Sequence, residues 1–467
     1  MLEISFKKSR RKYPDDSEEA KIAVGLDIGT TKVVAFVGQR NSDGKIEILG
    51  FGKHISLGVQ RGQVINIDKT AKAIRQAIIQ AENKANIDID TVMVGIAGQH
   101  INNTQIAGEI KRRNSDSEIT KEDVRILIDD MFKVAVNPGS QIIDIIPQEY
   151  TVDSITGLDD PIGVLGTQLS SVFNVVTGNS QHIRNIIRCV KRCKLEMDGL
   201  VVEPIASAEV VLDKKEKETG VALVDIGGGT TDIAVFINGI LRHTAVIPIG
   251  GDVITDDIKA VFKGIVKEEA ESLKVKHGSC LPNKGNDNLV VSIPGIKGRP
   301  ATEIPVVELA EVIAARTKEI IQRISDELKN ANCFNKLGCG IVLTGGGARL
   351  QDIKEFTEYH TGLSVRIGNP EENIIIGKDS EYYHPMYATG LGLMILGIEK
   401  GEDLHAIKEE RNERTGSSKK TGKQTKKQIE GSGERDKYRP PRPWDKIKEL
   451  LYDLVSDDDM DDDFEDD

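Results

Sequence analysis

The sequence has little positive charge, few cysteines and no long apolar run, and each shortage excludes a class of protein. Its 62 Lys and Arg residues are outnumbered by 74 Asp and Glu residues, and the net charge of −12 argues against a nucleic-acid binder. The five cysteines are irregularly spaced, so we expect reduced, structural side chains rather than a disulfide framework or a metal site. No run of about 18 apolar residues occurs, so no segment is expected to span a bilayer.

Two common motifs are also missing. The basic segment 1–12 has no apolar core, so we expect no secretory signal and a cytoplasmic protein. The chain has no Gly-x-x-x-x-Gly-Lys-Ser/Thr sequence, which excludes a P-loop as the means of binding a nucleotide.

A glycine-rich stretch at 223–236 predicts a phosphate site of another kind. It reads Leu-Val-Asp-Ile-Gly-Gly-Gly-Thr-Thr-Asp-Ile-Ala-Val-Phe, and its β-branched flanks favour two strands joined by a tight turn. Glycines allow backbone N–H groups to approach an anion closely, and threonines add hydroxyl donors. The predicted phosphate contacts are Gly227, Gly228, Gly229, Thr230 and Thr231.

The same pattern occurs earlier, at 24–37, as Val-Gly-Leu-Asp-Ile-Gly-Thr-Thr-Lys-Val-Val-Ala-Phe-Val. The two Asp-x-Gly units begin at Asp27 and Asp225, 198 positions apart, which suggests two similar halves that share one ligand. The predicted contacts of this hairpin with the β- and γ-phosphates are Gly29, Thr30, Thr31 and Lys32. A solvated turn lysine is the alternative for Lys32.

A third glycine element, Gly345, Gly346 and Gly347, follows an apolar strand and precedes a helical pattern. Three ordinary glycine turns would explain these stretches separately, but two matching hairpins and a third turn in this order favour a nucleotide cleft. Asp27 and Asp225 would hold Mg²⁺ through waters, because Mg²⁺ gives up its hydration shell reluctantly. The alternative for each is a structural aspartate that caps a turn.

Three further segments resemble one family. Residues 147–158 (Pro-Gln-Glu-Tyr-Thr-Val-Asp-Ser-Ile-Thr-Gly-Leu), 200–212 and 270–278 are similar to bacterial FtsA, a family of the actin-like ATPase superfamily. The resemblance covers about residues 20–400, and the Pro-Gln-Glu-Tyr segment is its most specific part. FtsA proteins link the division polymer FtsZ to the membrane.

The resemblance implies an α/β actin-like ATPase fold, in which two duplicated ribonuclease-H-like halves flank a nucleotide cleft and an inserted subdomain, IC, replaces the usual actin subdomain. The expected division of the chain is a disordered N-terminus at 1–20, domain IA at 21–100 and 182–215, IC at 101–181, IIA at 216–251 and 337–400, IIB at 252–336, a flexible linker at 401–442, an amphipathic helix at 443–456 and an acidic tail at 457–467.

The resemblance also assigns roles to residues outside the hairpins. Glu268, Ser272 and Lys274 or Lys276 would lie by the ribose and adenine, and residues 345–347 under the base and α-phosphate. Glu203 occupies the place that positions the attacking water in some relatives, and capping of a helix before Pro204 is its alternative. ATP binding is therefore a stronger expectation than hydrolysis, which we expect to be slow at most.

The expected partners are FtsZ, further copies of the chain in a head-to-tail polymer, and downstream division proteins on IC, at the cytoplasmic face of the membrane at the division septum. No nucleic-acid partner is expected. The FtsZ-binding surface would lie in IIB, where Lys297, Arg299 and Arg316 are weak candidates.

An apolar stripe near the C-terminus predicts a helix that lies in the membrane interface as a peripheral anchor. Its residues are Trp444, Ile447, Leu450, Leu451, Leu454 and Val455. The alternative is a helix that docks on a partner protein. An acidic tail follows at once, so we expect weak, salt-sensitive lipid binding.

Three alternative functions each require features that can be sought in the sequence. A sugar or acetate kinase would need a base and a substrate pocket, and the insertion at 101–181 offers no acid or histidine constellation for them. A chaperone ATPase would need a β-rich domain after residue 400. A PilM-like pilus-assembly ATPase shares the domain layout, and the segment at 147–150 and the C-terminal helix favour FtsA over it.

Overall fold

The computed structural model describes most of the chain. Side chains are described except at 403–416 and 455–456, and the described residues are 22–112, 117–282, 289–295, 297, 300–370, 381–416 and 442–456. The predicted disordered N-terminus, the acidic tail and the part of the predicted linker at 417–441 lie outside these residues.

Strands and helices alternate along the described chain. The strands are β1 (Ile22–Ile28), β2 (Lys32–Arg40), β3 (Ile46–Ile55), β4 (Val59–Gln60), β5 (Gln63–Val64), β6 (Thr91–Ile96), β7 (Asn102–Lys111), β8 (Ser140–Val152), β9 (Ile155–Leu158), β10 (Gln168–Asn179), β11 (Glu196–Val202), β12 (Val221–Ile226), β13 (Thr231–Ile237), β14 (Ile240–Ile247), β15 (Val290–Ile293), β16 (Thr302–Pro305), β17 (Ile341–Thr344) and β18 (Val365–Ile367). The α-helices are α1 (Ile67–Ala85), α2 (Lys121–Met131), α3 (Ser180–Arg192), α4 (Glu203–Val211), α5 (Lys214–Thr219), α6 (Gly251–Val261), α7 (Lys267–His277), α8 (Val306–Asn330), α9 (Ile353–Thr361), α10 (Ala388–Gly416) and α11 (Trp444–Ser456).

Two five-stranded sheets have the same construction. The first has the order β11-β6-β1-β2-β3, in which β1, β2 and β3 are antiparallel neighbours and β6 runs parallel to β1. The second has the order β14-β13-β12-β17-β18, again with three antiparallel strands followed by two parallel ones. This repeat confirms the two duplicated α/β halves that the echoed hairpins predict.

The insertion forms a small domain within the first half. Its sheet has the order β7-β10-β8-β9, and α2 packs on it over a separate apolar core that includes Leu127, Tyr150 and Phe173. Thr120 begins α2 as part of a capping box with Asp123. The chain enters the domain after β6 and leaves it directly into α3, so both connections return to the first half.

Helices α6, α7 and α8 and the hairpin β15–β16 form the smaller part of the second half. Arg316 on α8 is an internal tie there, because its guanidinium pairs with Asp257 on α6 at 2.6 Å and also with Glu319. Arg316 remains a weak candidate for the FtsZ-binding surface, with its guanidinium already paired inside the subdomain. Lys297 is exposed, and Arg299 lies outside the described residues.

Helices α4 and α10 cross between the halves and pack on each other. Helix α4 contacts β12 and β13, whereas α10 contacts β1, β2 and β6. Residues 388–400, predicted to belong to the second half, therefore pack on the sheet of the first. Gly392 makes this approach possible, because a Cβ there would collide with the backbone of Ala206.

Helix α10 is also longer than the sequence pattern predicts. The loss of apolar periodicity at residue 401 predicts a flexible linker from that point, but the helix continues to Gly416. Residues 401–416 include four Glu, two Arg and one each of Lys, Ala and Leu, all of which favour helix, and a solvated helix needs no apolar stripe. Near this point Arg40 on β2 pairs with Glu402 at 2.7 Å.

Helix α11 lies against the first half and the insertion, in contact with β11, α3 and β8. Among the described residues, no helix combines the length and the apolar character needed to cross a bilayer. The five cysteines are free, and burial raises the pKa of Cys189 and Cys280 to about 12, in keeping with the predicted structural role.

Candidate nucleotide site

The two glycine-rich turns have the same backbone. In the first, the N–H of Gly29 donates to the carbonyl of Lys32 at 3.0 Å, and in the second the N–H of Gly227 donates to that of Thr230 at 2.9 Å. Strand register places Ile28 opposite Val33 and Ile226 opposite Thr231, so each turn has four residues. The turns 29–32 and 227–230 are therefore equivalent at a constant offset of 198 residues.

This register corrects the equivalence of the two Thr-Thr pairs. Thr30 and Thr31 occupy the tip of the first turn, where the second turn has two glycines, whereas Thr231 begins β13. Its side chain is fully buried, and its hydroxyl donates to the carbonyl of Ile249 at 2.7 Å. Thr231 is thus a core residue rather than a phosphate contact, and the N–H groups of Gly29 and Gly227 close the turns instead of facing a ligand.

The tips of both turns keep donors available. Within the described part of the chain, the backbone N–H groups of Thr30, Thr31, Gly228 and Gly229 donate to no protein acceptor. Four such groups on two facing turns are suited to the oxygens of a polyphosphate. The second turn is held from behind, since the N–H groups of Gly251 and Asp252 donate to the carbonyls of Gly227 and Gly228, both at 2.8 Å.

The two turns touch each other. A Cβ on Gly228 would lie 2.7 Å from the hydroxyl of Thr31, and one on Gly229 would lie 2.6 Å from that of Thr30. A third turn bridges them: the N–H of Gly62 donates to Thr30 Oγ1 at 3.1 Å, and Arg61, with φ +48°, lies against Gly229. This turn was not predicted from the sequence, although the dipeptide Arg-Gly after a strand indicates a turn.

The third glycine element closes the floor of the site. Gly345 has φ +85°, and a Cβ there would collide with the carboxylate of Asp225. Gly347 begins a 3₁₀ turn that packs on Ile226, whereas a Cβ on Gly346 would meet open space. The structure thus joins the third element to the second hairpin and leaves Gly346 facing free volume.

Four carboxylates and one ammonium group meet between the halves. Burial, offset in part by Lys32 and reinforced by Asp225, raises the pKa of Asp27 to about 6. Burial also raises the pKa of Asp225, and it raises those of Asp232 and Glu203 well above their ordinary values, with further contributions from the neighbouring carboxylates. The pKa of Lys32 is lowered by burial, and this lowering is opposed by Asp27 and Asp225. The site therefore has an excess of buried negative charge.

The carboxylates have unequal support. Asp225 accepts hydrogen bonds from Ser207 on α4 at 2.9 Å and from Thr389 on α10 at 3.2 Å. Asp232 accepts one from Thr230 at 3.0 Å, but its second oxygen is buried without a partner. Ser207 and Thr389 were not predicted, because they come from segments that are distant from Asp225 in the sequence.

This arrangement fits a hydrated divalent cation. The orphaned oxygen of Asp232 and the accumulated negative charge both call for positive charge at this point. Among the described residues, no three His, Cys, Asp or Glu side chains converge as direct metal ligands. Asp27 and Asp225 are brought together as predicted.

Glu203 is the first residue of α4, directly after β11, and its side chain lies beside Gly95 of β6. Its neighbours in charge are Asp27, Asp225, Asp232 and Lys32. Glu203 therefore belongs to the carboxylate cluster. Among the described residues, Val202 occupies the cap position of this helix and no side chain caps it, so the alternative of helix capping by Glu203 is wrong. Pro204 follows within the first turn, a position that favours proline.

The predicted ribose and adenine residues lie on α7. Lys274 donates to the carbonyl of Gly251 at 2.9 Å and to Thr255 Oγ1 at 2.8 Å, and it pairs with Glu271 at 2.7 Å. It thus supports the segment behind the second turn. Glu268 and Ser272 are one helical turn apart, and both Glu268 and Lys276 are exposed.

The predicted membrane residues are packed on protein. Trp444, Ile447 and Leu451 are 5%, 2% and 7% exposed, while Leu450 and Leu454 are half-buried. The side chain of Val455 lies outside the described residues. The apolar stripe thus forms a helix as predicted, but in this structure its partner is the body of the same chain.

Comparisons with known proteins identify relatives of the whole chain. The family model described as Cell division protein FtsA matches residues 222–392, and the one described as SHS2 domain inserted in FTSA matches 98–177. The cell division protein FtsA of Pseudomonas aeruginosa is 38% identical over 386 residues, which are 83% of this chain and 91% of that protein. The FtsA of Escherichia coli K12 is 36% identical over 388 residues, 82% of this chain and 91% of that protein.

A solved PilM-PilN type IV pilus biogenesis complex is similar in structure. It has a TM-score of 0.58 and 16% identity and covers 80% of this chain and 98% of the other. At this identity the likeness concerns the fold alone, and it agrees with the predicted α/β fold of two similar halves that carries an inserted domain.

Proposed function

Because the chain belongs to the FtsA family of cell division proteins, we propose that it binds ATP with Mg²⁺, self-assembles and tethers FtsZ filaments to the inner face of the cytoplasmic membrane. The observation that carries the nucleotide part is the pair of facing turns, whose tips offer four free N–H groups. The chain is therefore a nucleotide-binding assembly protein of the division septum.

Within this proposal, the turns 29–32 and 227–230 hold the β- and γ-phosphates, and Lys32 adds a cation. Gly345, Gly346 and Gly347 approach the base and α-phosphate, and Glu268 and Ser272 lie towards the ribose. Mg²⁺, held through waters by Asp27 and Asp225, neutralises charge on the phosphate oxygens. Asp232, whose second oxygen lacks a partner, joins this group.

Glu203 is the residue best suited to orient water, since it lies in the carboxylate cluster. Burial keeps its pKa raised, so it would act as a base only when added cations restore its charge. Turnover is accordingly slow, and ATP acts mainly as the ligand that holds the two halves at a fixed angle for head-to-tail assembly. Sedimentation with and without ATP, in solution and on vesicles, tests this step.

Calorimetry tests the nucleotide site. Lys32→Ala should weaken Mg²⁺-dependent ATP binding by about tenfold, equivalent to about 1.4 kcal/mol. The matched control is Lys45→Ala, which removes an exposed lysine from the turn after β2. Equal affinities in the two variants would remove the assignment of the first turn to phosphate.

The assembly part is tested with FtsZ and vesicles. We propose that FtsZ docks on the smaller subdomain of the second half, residues 252–336, that downstream division proteins bind the inserted domain, and that α11 inserts its apolar stripe in lipid. FtsZ should float with vesicles only when this protein is present, and Trp444→Ala with Leu451→Glu should abolish that recruitment. A pull-down with the FtsZ C-terminal peptide separates this function from a pilus-assembly role, in which the peptide would not bind.

A further inference from the structure

The apolar stripe of α11 is buried on a built surface of the same chain. Trp444, Ile447 and Leu451 belong to one continuous apolar core with the first half, and the helix contacts β11, α3 and β8. Strand β11 is an edge strand of the first sheet, and α11 packs against it. A Cβ on Gly199 of that strand would lie 3.2 Å from the Trp444 ring.

Polar groups of the body hold the start of this helix. Arg442 pairs with Asp144 of β8 at 3.6 Å, and both side chains are largely buried. The Trp444 ring has two cations near its face, since Arg442 and Lys400 each lie 5.6 Å from its centre. Lys400 is itself fixed by Asp198 at 2.7 Å.

A further contact holds the helix at its middle. Gln141 Nε2 on β8 donates to the carbonyl of Leu450 at 3.4 Å. The surface therefore combines the inserted domain, through Gln141 and Asp144, with the first half, through β11 and α10. Specific polar contacts at both the start and the middle distinguish it from a chance apolar contact.

We propose that this surface, formed by β8, β11, α3 and Lys400, is a receptor for α11 that competes with lipid for the helix. The proposal rests on the proposed membrane anchor. The three side chains most deeply buried on the body are members of the stripe that would enter the bilayer, and one stripe cannot be buried in both places. Both environments remove the same apolar side chains from water, so the docked helix and the lipid-bound helix gain from the same burial. The docked chain is thus withheld from the membrane until the receptor surface releases the helix.

The experiment uses the full chain and its own fluorescence, because Trp444 is the sole tryptophan. Without lipid, the parent should show blue-shifted emission and little quenching by acrylamide. Asp144→Ala with Gln141→Ala changes only the body and leaves the helix sequence intact. This variant should shift the emission to the red and raise binding to phosphatidylethanolamine–phosphatidylglycerol vesicles about tenfold, as expected from losing one partly buried ion pair and one hydrogen bond.

The matched control, Glu122→Ala with Gln105→Ala, removes one carboxylate and one glutamine from exposed positions of the inserted domain and should behave as the parent. Gly199→Ala is a second body variant and should give a smaller red shift, because its new Cβ would lie 2.7 Å from Met93 Sδ and 3.2 Å from the Trp444 ring. Unchanged ATP binding in each variant shows that the body is folded.

The outcomes separate the two proposals. If Trp444 of the parent is already water-exposed without lipid and the body variants match the control, the receptor surface is overturned, while flotation of the parent still supports the anchor. If the body variants expose Trp444 but neither they nor the parent float, the anchor fails and competition with lipid fails with it. Exposure together with stronger flotation supports both.

Discussion

The two glycine-rich turns share one backbone conformation and differ in their side chains, and this difference divides the candidate site between the two halves. At the constant offset of 198 residues, Lys32 corresponds to Thr230, and Val34 corresponds to Asp232. The first half thus supplies the cation, and the second supplies an additional buried carboxylate. Duplication has preserved the donors of the backbone, while the charges complement each other only across the cleft.

The two equivalent aspartates also differ in their surroundings. Asp225 is fixed by hydroxyl groups from both crossing helices, and Gly345 packs against it. Among the described residues, the side-chain carboxylate of Asp27 accepts no hydrogen bond from another side chain. Asp225 is therefore the ordered member of the pair and Asp27 the one most dependent on an added cation.

Exchanging the buried pair Val34 and Asp232 should give the largest effect. Val34 is fully buried, so Val34→Asp adds an unpaired charge and should destabilise the ligand-free protein by about 3–5 kcal/mol. Asp232→Val removes such a charge and should stabilise it at neutral pH. Urea unfolding measures both, and shifts of the same sign in the two variants would contradict the proposed division of charge.

Removing charge from one aspartate at a time should affect nucleotide binding unequally. Asp225→Asn should weaken Mg²⁺-dependent ATP binding about a hundredfold, equivalent to about 2.7 kcal/mol, because the ordered carboxylate is lost. Asp27→Asn should cost about tenfold. Calorimetry at several Mg²⁺ concentrations checks this, and equal losses would show that the hydroxyl groups on Asp225 have no bearing on the metal.

The raised pKa of Asp27 predicts the pH dependence of the ligand-free protein. Because the pKa is about 6 in the folded state and 3.8 ordinarily, the folded state binds more protons between these values. Stability is then lost as pH rises through this window, and Asp27 alone contributes about 1 kcal/mol of loss between about pH 5 and about pH 7. Asp27→Asn should flatten the profile from urea unfolding, while Asp43→Asn, an exposed turn variant, should not. A steeper dependence of stability on pH in Asp27→Asn would contradict a raised pKa of Asp27 in the folded protein.

The smallest effect tests the register of the turns. Thr231→Val should leave ATP affinity unchanged and cost about 1 kcal/mol of stability or less, since its equivalent is Val33 and one hydrogen bond to Ile249 is lost. Thr31→Val, at the tip of the first turn, should weaken ATP binding measurably. If Thr231→Val reduces the affinity more than Thr31→Val does, the two threonine pairs are equivalent after all.

The hairpins and the duplicated halves could be predicted because local chemistry determines them. Glycines flanked by β-branched residues specify a tight turn between strands, and the repeat of that pattern specifies two halves. The register that relates the two turns could not be obtained from the same residues. Aligning the Thr-Thr pair of the first hairpin with that of the second shifts one turn by two residues. Partners such as Ser207 and Thr389 are also hidden, since only the fold brings them to Asp225.

The ends of the chain show a second limit of sequence analysis. The stripe at Trp444, Ile447 and Leu451 indicates that α11 has an apolar partner, but a stripe looks the same against lipid or protein. The polar segment after residue 400 lacks such a stripe, and this absence predicts a linker. Its helix-favouring residues nevertheless continue α10 to Gly416. Patterns of burial reveal helices that pack, and they say little about helices that extend into solvent.

Helix α10 has a consequence beyond its role in packing. Thr389 at its start donates to Asp225 in the nucleotide cleft, and Lys400, eleven residues further on, lies over the ring of Trp444. At about 1.5 Å per residue these two points are about 16 Å apart on one uninterrupted rod. A lever of this kind has one arm in the cleft and the other beneath the terminal helix. A shift of Thr389 when the cleft fills would move Lys400 as well, so the proposed nucleotide site and the proposed membrane anchor are connected through two points of one helix.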